Sequence, residues 1–371
     1  MIRQKIGVLL SIVACVLGCV SPYDVRYDLN SNVVTVEGFI TDQTEATVII
    51  KRSISQNRSS YAVPIKGCVV EIRAGSGTSV ALKETSEGVY ETPADFKGQA
   101  GQTYQLRFKT PEGQSYESSV EKMIAVPDIK KIYQQYDEKG PLNNEGTRSL
   151  GSTLNIFLDL EDPAADRNFY LWRWTLWERQ PICITCEQGI YTGKECIKVF
   201  SNPVSPTYDY NCKTACWELF RSTDINIFSD VYSNGRSVIG RPIAKIPFYS
   251  RQGALIEVEQ LGLGIAAYDY YQLLRSQNQT TGTLADTPPA PIIGNIRNIN
   301  NSDEKIVGYF GAATVKKLRY WIDRNGYENV KLTPLLGREP NFELPNPFPP
   351  PSAPCVLGRN RTPFLPAGWQ Q

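Results

Sequence analysis

Glu87-Gly88-Val89-Tyr90-Glu91-Thr92, Gly101-Gln102-Thr103-Tyr104-Gln105-Leu106-Arg107-Phe108 and Pro111-Glu112-Gly113-Gln114-Ser115-Tyr116 decide the fold. Each run carries aromatic or β-branched residues in alternation, and each is punctuated by a glycine or proline turn signal. The same pattern extends upstream. Val34, Val36 and Gly38 point to one side of a strand and Thr35, Glu37 and Phe39 to the other, while residues 47–51, 69–73 and 80–83 follow at strand spacing. Short strands separated by turns predict a β-sandwich, so the chain reads as mainly β.

The three runs resemble the hairpins of an immunoglobulin-like or transthyretin-like module, which sets a β-sandwich domain over residues 31–127. Residues 128–152 are expected to be a linker, because Lys139-Gly140-Pro141 and Asn143-Asn144-Glu145-Gly146 break any periodicity. A second β-rich domain, 153–325, opens on the alternating Leu154, Ile156, Leu158 and Leu160. In the aromatic stretch Phe169-Tyr170-Leu171-Trp172-Arg173-Trp174-Thr175-Leu176-Trp177, alternation puts Tyr170, Trp172, Trp174 and Leu176 on one face. Phe169, Leu171, Thr175 and Trp177 share the other. A core strand explains this density; an aromatic ligand-gripping face is the alternative, and it makes Trp172, Trp174, Trp177 and Trp217 candidate ligand contacts. One helix is predicted over 264–277, and residues 304–313 read as a strand whose glycines admit close backbone approach. The tail, 326–371, carries Pro345-Asn346-Pro347-Phe348-Pro349-Pro350-Pro351 and favours an extended conformation. It reads as a loosely packed tail or as a strap in which Phe348, Phe364 and Trp369 are anchors.

Nine cysteines sharpen the picture. Five of them, Cys183, Cys186, Cys196, Cys212 and Cys216, fall in an insertion over 180–220. Cys68 shares a strand face with Val70 and Ile72 and reads as a buried free thiol. If disulfides form, an insertion with an odd number of thiols needs Cys355 as a partner, which would pin the tail; the connectivity stays open. Four thiolates could instead bind zinc or an iron–sulfur cluster, but the spacing of Cys212 and Cys216 differs from the usual paired motif. Asp159, Glu161, Asp162 and Asp166 could meet around calcium if their loop folds back, but their spacing is not that of an EF-hand and solvated loop acids are the simpler account.

Histidine is absent from the whole chain. No Ser-His-Asp triad, Cys-His dyad or imidazole-ligated metal can be built from it. The net charge of +1, with both signs interspersed, argues against nucleic acid as a partner. No catalytic residue, resident metal or cofactor is assigned. At the other end, Arg3 and Lys5 precede an apolar run from Ile6 to Leu17 and then Gly18-Cys19, which reads as a lipoprotein signal over 1–18. Cys19 is the expected lipidation site, with Cys15 a competing match, and 19–30 is the tether. The run is too short to span a bilayer, which needs roughly 20 apolar residues. Acyl chains on Cys19 would supply the membrane contact.

Val34-Thr35-Val36-Glu37-Gly38-Phe39-Ile40-Thr41-Asp42, Pro288-Pro289-Ala290-Pro291-Ile292-Ile293-Gly294-Asn295-Ile296 and Val307-Gly308-Tyr309-Phe310-Gly311-Ala312 resemble, in order and separation, the Bacteroidota lipoproteins of the domain of unknown function numbered 4249. The likeness implies an outer-membrane lipoprotein, often encoded beside a TonB-dependent transporter, and supplies no catalytic residues. Surface display in that phylum usually follows an acidic run after the lipid cysteine; here only Asp24 is near, so the periplasmic and cell-surface faces both stay open. The expected function is a non-enzymatic accessory or substrate-binding subunit of a TonB-dependent nutrient uptake system, with the outer-membrane barrel as partner. A stand-alone structural or adhesive surface protein is the alternative, and a carboxylate-dependent envelope hydrolase the third.

Overall fold

Strand Asn32–Thr41 alternates as its sequence predicts, burying Val34, Val36 and Ile40. It pairs antiparallel with Thr47–Gln56 on one side and parallel with Val307–Ala313 on the other. The computed structural model describes residues 32–56, 59–140, 151–164, 166–198, 206–278 and 292–370. The leader, Cys15, Cys19, the tether, Asn143-Asn144-Glu145-Gly146 and Pro288-Pro289-Ala290-Pro291 lie outside them.

The first sheet has eleven strands, with Ile296–Asn298 at one end of its path and Val307–Ala313 at the other. These ends meet. The Asn295 side chain accepts the Phe310 N–H and donates to the Phe310 carbonyl, both at 2.9 Å, and residues 293 and 307 form a bridge. The sheet therefore wraps almost closed around Val36, Val48, Ile72, Leu106 and Phe310, all fully buried. Gly308 permits the closure. At φ +113° it takes a conformation that favours glycine, and a Cβ there would lie 1.9 Å from the Val36 carbonyl oxygen.

Two further sheets stack behind it. Ile129–Asp137, Thr153–Glu161 and Ser237–Pro247 form one; in the other, Val315–Ile322, Ala254–Leu263, Phe169–Arg179 and Trp217–Arg221 lie side by side. Leu154, Ile156, Leu158 and Leu160 pack there with Tyr170, Trp172 and Leu176. Full burial of such side chains contributes roughly 1.5–3 kcal/mol each before chain entropy is counted. Leu171, on the opposite face of the aromatic strand, packs with Leu261, Tyr309, Val315 and Ala267 in the seam between the two units. Ala267 belongs to helix Ile265–Asn278, the single helix among the described residues. No described helix is long and apolar enough to cross a membrane.

The architecture is mainly β, as expected, but two boundaries move. The supposed linker 128–152 begins with a strand, Ile129–Asp137, whose Ile129 and Ile132 are buried while Lys130 and Lys131 face solvent. Its register shifts between Ile129 and Lys131, so its buried residues do not follow a period of two. The second domain also does not run unbroken over 153–325. Residues 296–313 return to the first sheet, and the chain re-enters the second unit at Val315.

Candidate functional site

The insertion folds as two small ribbons, Ile182–Cys186 with Tyr208–Asn211 and Gly189–Tyr191 with Cys196–Lys198. Its core is Tyr191, Tyr210 and cysteine, too little apolar surface to hold by itself. Disulfides supply the constraint: Cys183–Cys212, Cys186–Cys196 and Cys216–Cys355. Cys68 is free and buried, and burial pushes its thiol up. The sulfurs of Cys183, Cys212 and Cys216 lie within 4.8 Å of one another. Each is bonded to another sulfur, so none is a thiolate ligand. The acids singled out beside Pro163 are dispersed. Asp159 is buried, pairs with Lys131 at 3.2 Å and accepts the Gly240 N–H at 2.8 Å, Glu161 bonds Lys130 and Ser237, and Asp162 meets Tyr170 in a separate buried polar cluster.

The tail is a strap rather than a loose end. Arg338 grips Asp209 with two bonds of 2.6 and 2.8 Å, and the Asn341 N–H adds a third at 2.8 Å. Ala353 exchanges backbone bonds with Asn211 and Lys213, Cys355 is bonded to Cys216, and Arg361-Thr362 pair with Trp217-Glu218. Burial alone would raise the Asp209 carboxyl, but Arg338, the Asn341 N–H and Thr185 together hold it below the usual carboxylate range. A depressed pKa gives stability that is present above the unfolded value of about 3.9 and is lost as pH falls through the folded one. Limited proteolysis is therefore expected to cut near residue 338 faster at pH 3 than at pH 7. Asp209→Asn should abolish that difference; an unchanged pH response in the variant would contradict the assignment.

Where the strap ends, three tryptophans converge. The Trp369 ring meets Trp217 at 5.8 Å and Trp321 at 5.1 Å, edge to face in both cases. They line a cavity of about 820 Å³ with Arg179, Arg251, Asp323 and Asn325. The pairing of Ala254–Leu263 with Val315–Ile322 brings Gly253 under Trp321, where a Cβ would lie 2.3 Å from the indole. The Trp217 Nε1 is buried and has no acceptor. An aromatic wall with planar polar groups at its rim suits an amphipathic ligand with apolar faces and polar edges.

Of the four tryptophans named from the sequence, only Trp217 lines this cleft. Trp172 is fully buried, donates to Gln260 Oε1 at 2.9 Å and lies under the Arg241 guanidinium. It is core. Trp174 packs on the same core, and Trp177 carries Arg319 at 5.6 Å. Nothing in the sequence singles out Trp321, which strand Val315–Ile322 carries to the cleft. A second cavity of about 500 Å³ lies in the seam between the units, where Phe39, Tyr270, Tyr271 and Tyr309 gather beside Arg173. Its Lys317 and Glu259 are already paired at 2.6 Å. The larger cleft, walled by two strands and the strap, is the better candidate.

Fold and site together define a disulfide-stapled, mainly β protein of two packed sheet units with an aromatic cleft under a C-terminal strap. The family model of the domain of unknown function DUF4249 matches residues 20–319, and the chain belongs to that family. No curated protein matches it. Trp321, Cys355 and Trp369 fall beyond the matched residues.

Proposed function

We propose that the chain is an exported, lipid-anchored and non-enzymatic accessory or substrate-binding subunit of a TonB-dependent nutrient uptake system in the outer membrane. The observation that carries this reading is the strap. Leu344, Phe348 and Phe364 are 81%, 79% and 67% exposed on a segment fixed by Cys216–Cys355. Scattered exposed apolar residues need no explanation, but a run of them on an immobilised segment is what a docking surface requires. Three disulfides fit an oxidising envelope compartment, and the leader ending at Cys19 fits lipid attachment there. The tryptophan cleft is then the place for cargo.

Mild-detergent capture of the tagged chain from its own outer membrane, followed by mass spectrometry, tests this. Recovery of a stoichiometric TonB-dependent barrel is expected, and Leu344→Asp with Phe348→Asp should lose it while leaving the fold intact, since both side chains face solvent. Recovery of the chain alone would replace this reading with a solitary surface protein.

A further inference from the structure

Asp162 follows strand Thr153–Glu161, and Asp230 follows strand Asn226–Ser229. Their loops are laced together. The Asp230 N–H donates to Asn168 O at 3.2 Å, the Asp162 N–H to Arg236 O at 3.3 Å and the Gly235 N–H to Asp162 Oδ2 at 3.0 Å. Both carboxyls are buried, with Asp230 0% and Asp162 7% exposed. They also face each other, and burial first, then Asp230, pushes the Asp162 carboxyl up.

Compensation is incomplete. Tyr170 donates to Asp162 Oδ1, and Asn168 donates its N–H to Asp230 Oδ2 at 2.8 Å. Asp230 Oδ1 is buried without any donor, and so is Ser233 Oγ in the adjoining turn. Among the described residues, no Lys or Arg forms a salt bridge with either carboxylate. Two carboxylates in contact inside a protein are not tolerated bare; a proton or a cation must neutralise them. A proton between the two would satisfy Oδ1 but would leave Ser233 Oγ without a partner. The available donors are all oxygens, which suits a hard divalent ion and disfavours zinc or copper.

We propose that Asp162 and Asp230 form a calcium site, anchored on Asp230 Oδ1 and completed by Ser233 Oγ and water, that clamps the two loops together. Nothing in this depends on a partner barrel. Sites of this kind in extracellular modules bind with Kd of about 10⁻⁴–10⁻³ M, within the range of free calcium outside cells. Binding to the folded chain alone would raise its stability with calcium concentration.

Terbium luminescence on the chelator-treated full chain is the test. Tyr170 touches Asp162 and lies 5.7 Å from the Trp172 ring, so it would sensitise an ion bound there. Emission should saturate at one ion per chain, be displaced by calcium and be absent in Asp230→Asn. Ser233→Ala should weaken calcium binding several-fold without abolishing it, and Asp166→Asn should leave it unchanged. Should wild type show no calcium-displaceable emission and gain stability only as pH falls through the raised carboxyl pKa, the pair shares a proton and the proposal fails. That wild-type result decides the matter even if Asp230→Asn does not fold.

Discussion

Arg324→Met is expected to lower the free energy of unfolding by about 3–5 kcal/mol, a large part of the 5–15 kcal/mol typical of a folded domain. Arg324 and Glu178 form a buried pair, with side chains 1% and 0% exposed. The guanidinium binds both carboxylate oxygens, one of them at 2.9 Å from Nη1, and also reaches Gln252 O at 3.0 Å and Pro247 O at 3.2 Å. Removing it strands an acid and two carbonyls in the interior. By contrast, Lys66–Glu87, with both side chains more than half exposed, should matter little because solvent screens it. In the variant, burial pushes the Glu178 carboxyl up with no guanidinium to oppose it. A raised folded pKa gives stability that is present at low pH and lost as pH rises, so the deficit should be smaller at pH 5 than at pH 8. Urea melts at both pH values measure this, with the midpoint shifting and the slope unchanged. Glu178→Met combined with Arg324→Met should recover most of the loss, because the penalty comes from an unpaired buried charge. Equal losses in the single and double variants would refute that origin.

Much of this architecture was legible because burial leaves a period. Val34 and Val36, Leu154 to Leu160, and Tyr170 with Trp172 all lie on the faces that alternation assigned them. Partner choice leaves no such trace. The pairing of Thr35 with Val307 spans most of the chain, and the sequence near 307 says only that a strand with close backbone contact lies there. That is why the sequence reading runs the second domain unbroken through residues 296–313, which belong to the first sheet. The strand Ile129–Asp137 falls inside the expected linker because the turn signals at 139–146 dominate the stretch, while Lys130 and Lys131 break the apolar period that would mark a strand. For the candidate site, parity of the insertion cysteines pointed to Cys355, and with it to a pinned tail. The cleft itself needed three tertiary facts: which strand neighbours 315–322, where Gly253 falls against Trp321, and where a strap anchored at Cys355 delivers Trp369. The aromatic strand drew attention for its density, yet density there reflects a core shared by two sheets and a seam.

Among the disulfides, Cys216–Cys355 should contribute most. The chain-entropy account scales stabilisation with the logarithm of the closed loop. For sequence separations of 139, 29 and 10 it gives about 5, 4 and 3 kcal/mol for Cys216–Cys355, Cys183–Cys212 and Cys186–Cys196. Native-state strain could reorder the two short loops, but the long one also fixes tertiary structure. Without it the strap keeps only non-covalent holds on the insertion, among them Asp209–Arg338, the Ala353 backbone bonds to Asn211 and Lys213 and the two-residue pairing at Arg361-Thr362, with Arg319 gripping the Ala367 carbonyl near the end. The Cys216→Ser, Cys355→Ser double variant should therefore melt at markedly lower urea than the Cys186→Ser, Cys196→Ser variant under non-reducing conditions. It should also free Trp369 from Trp217 and Trp321, giving a red-shifted tryptophan emission well below the urea midpoint and early cleavage of the tail. The melts test the entropy term and the emission tests the strap, so each can fail alone. Similar midpoints for the two variants would place the stabilisation elsewhere, whereas an unshifted emission would mean that the aromatic contacts hold the cleft closed without the bond. If both expectations are met, one covalent link determines whether the cleft has its third wall and whether Leu344 and Phe348 are presented on a fixed surface. If the capture experiment recovers a barrel, reduction of that link should then release it without any change to the apolar residues themselves.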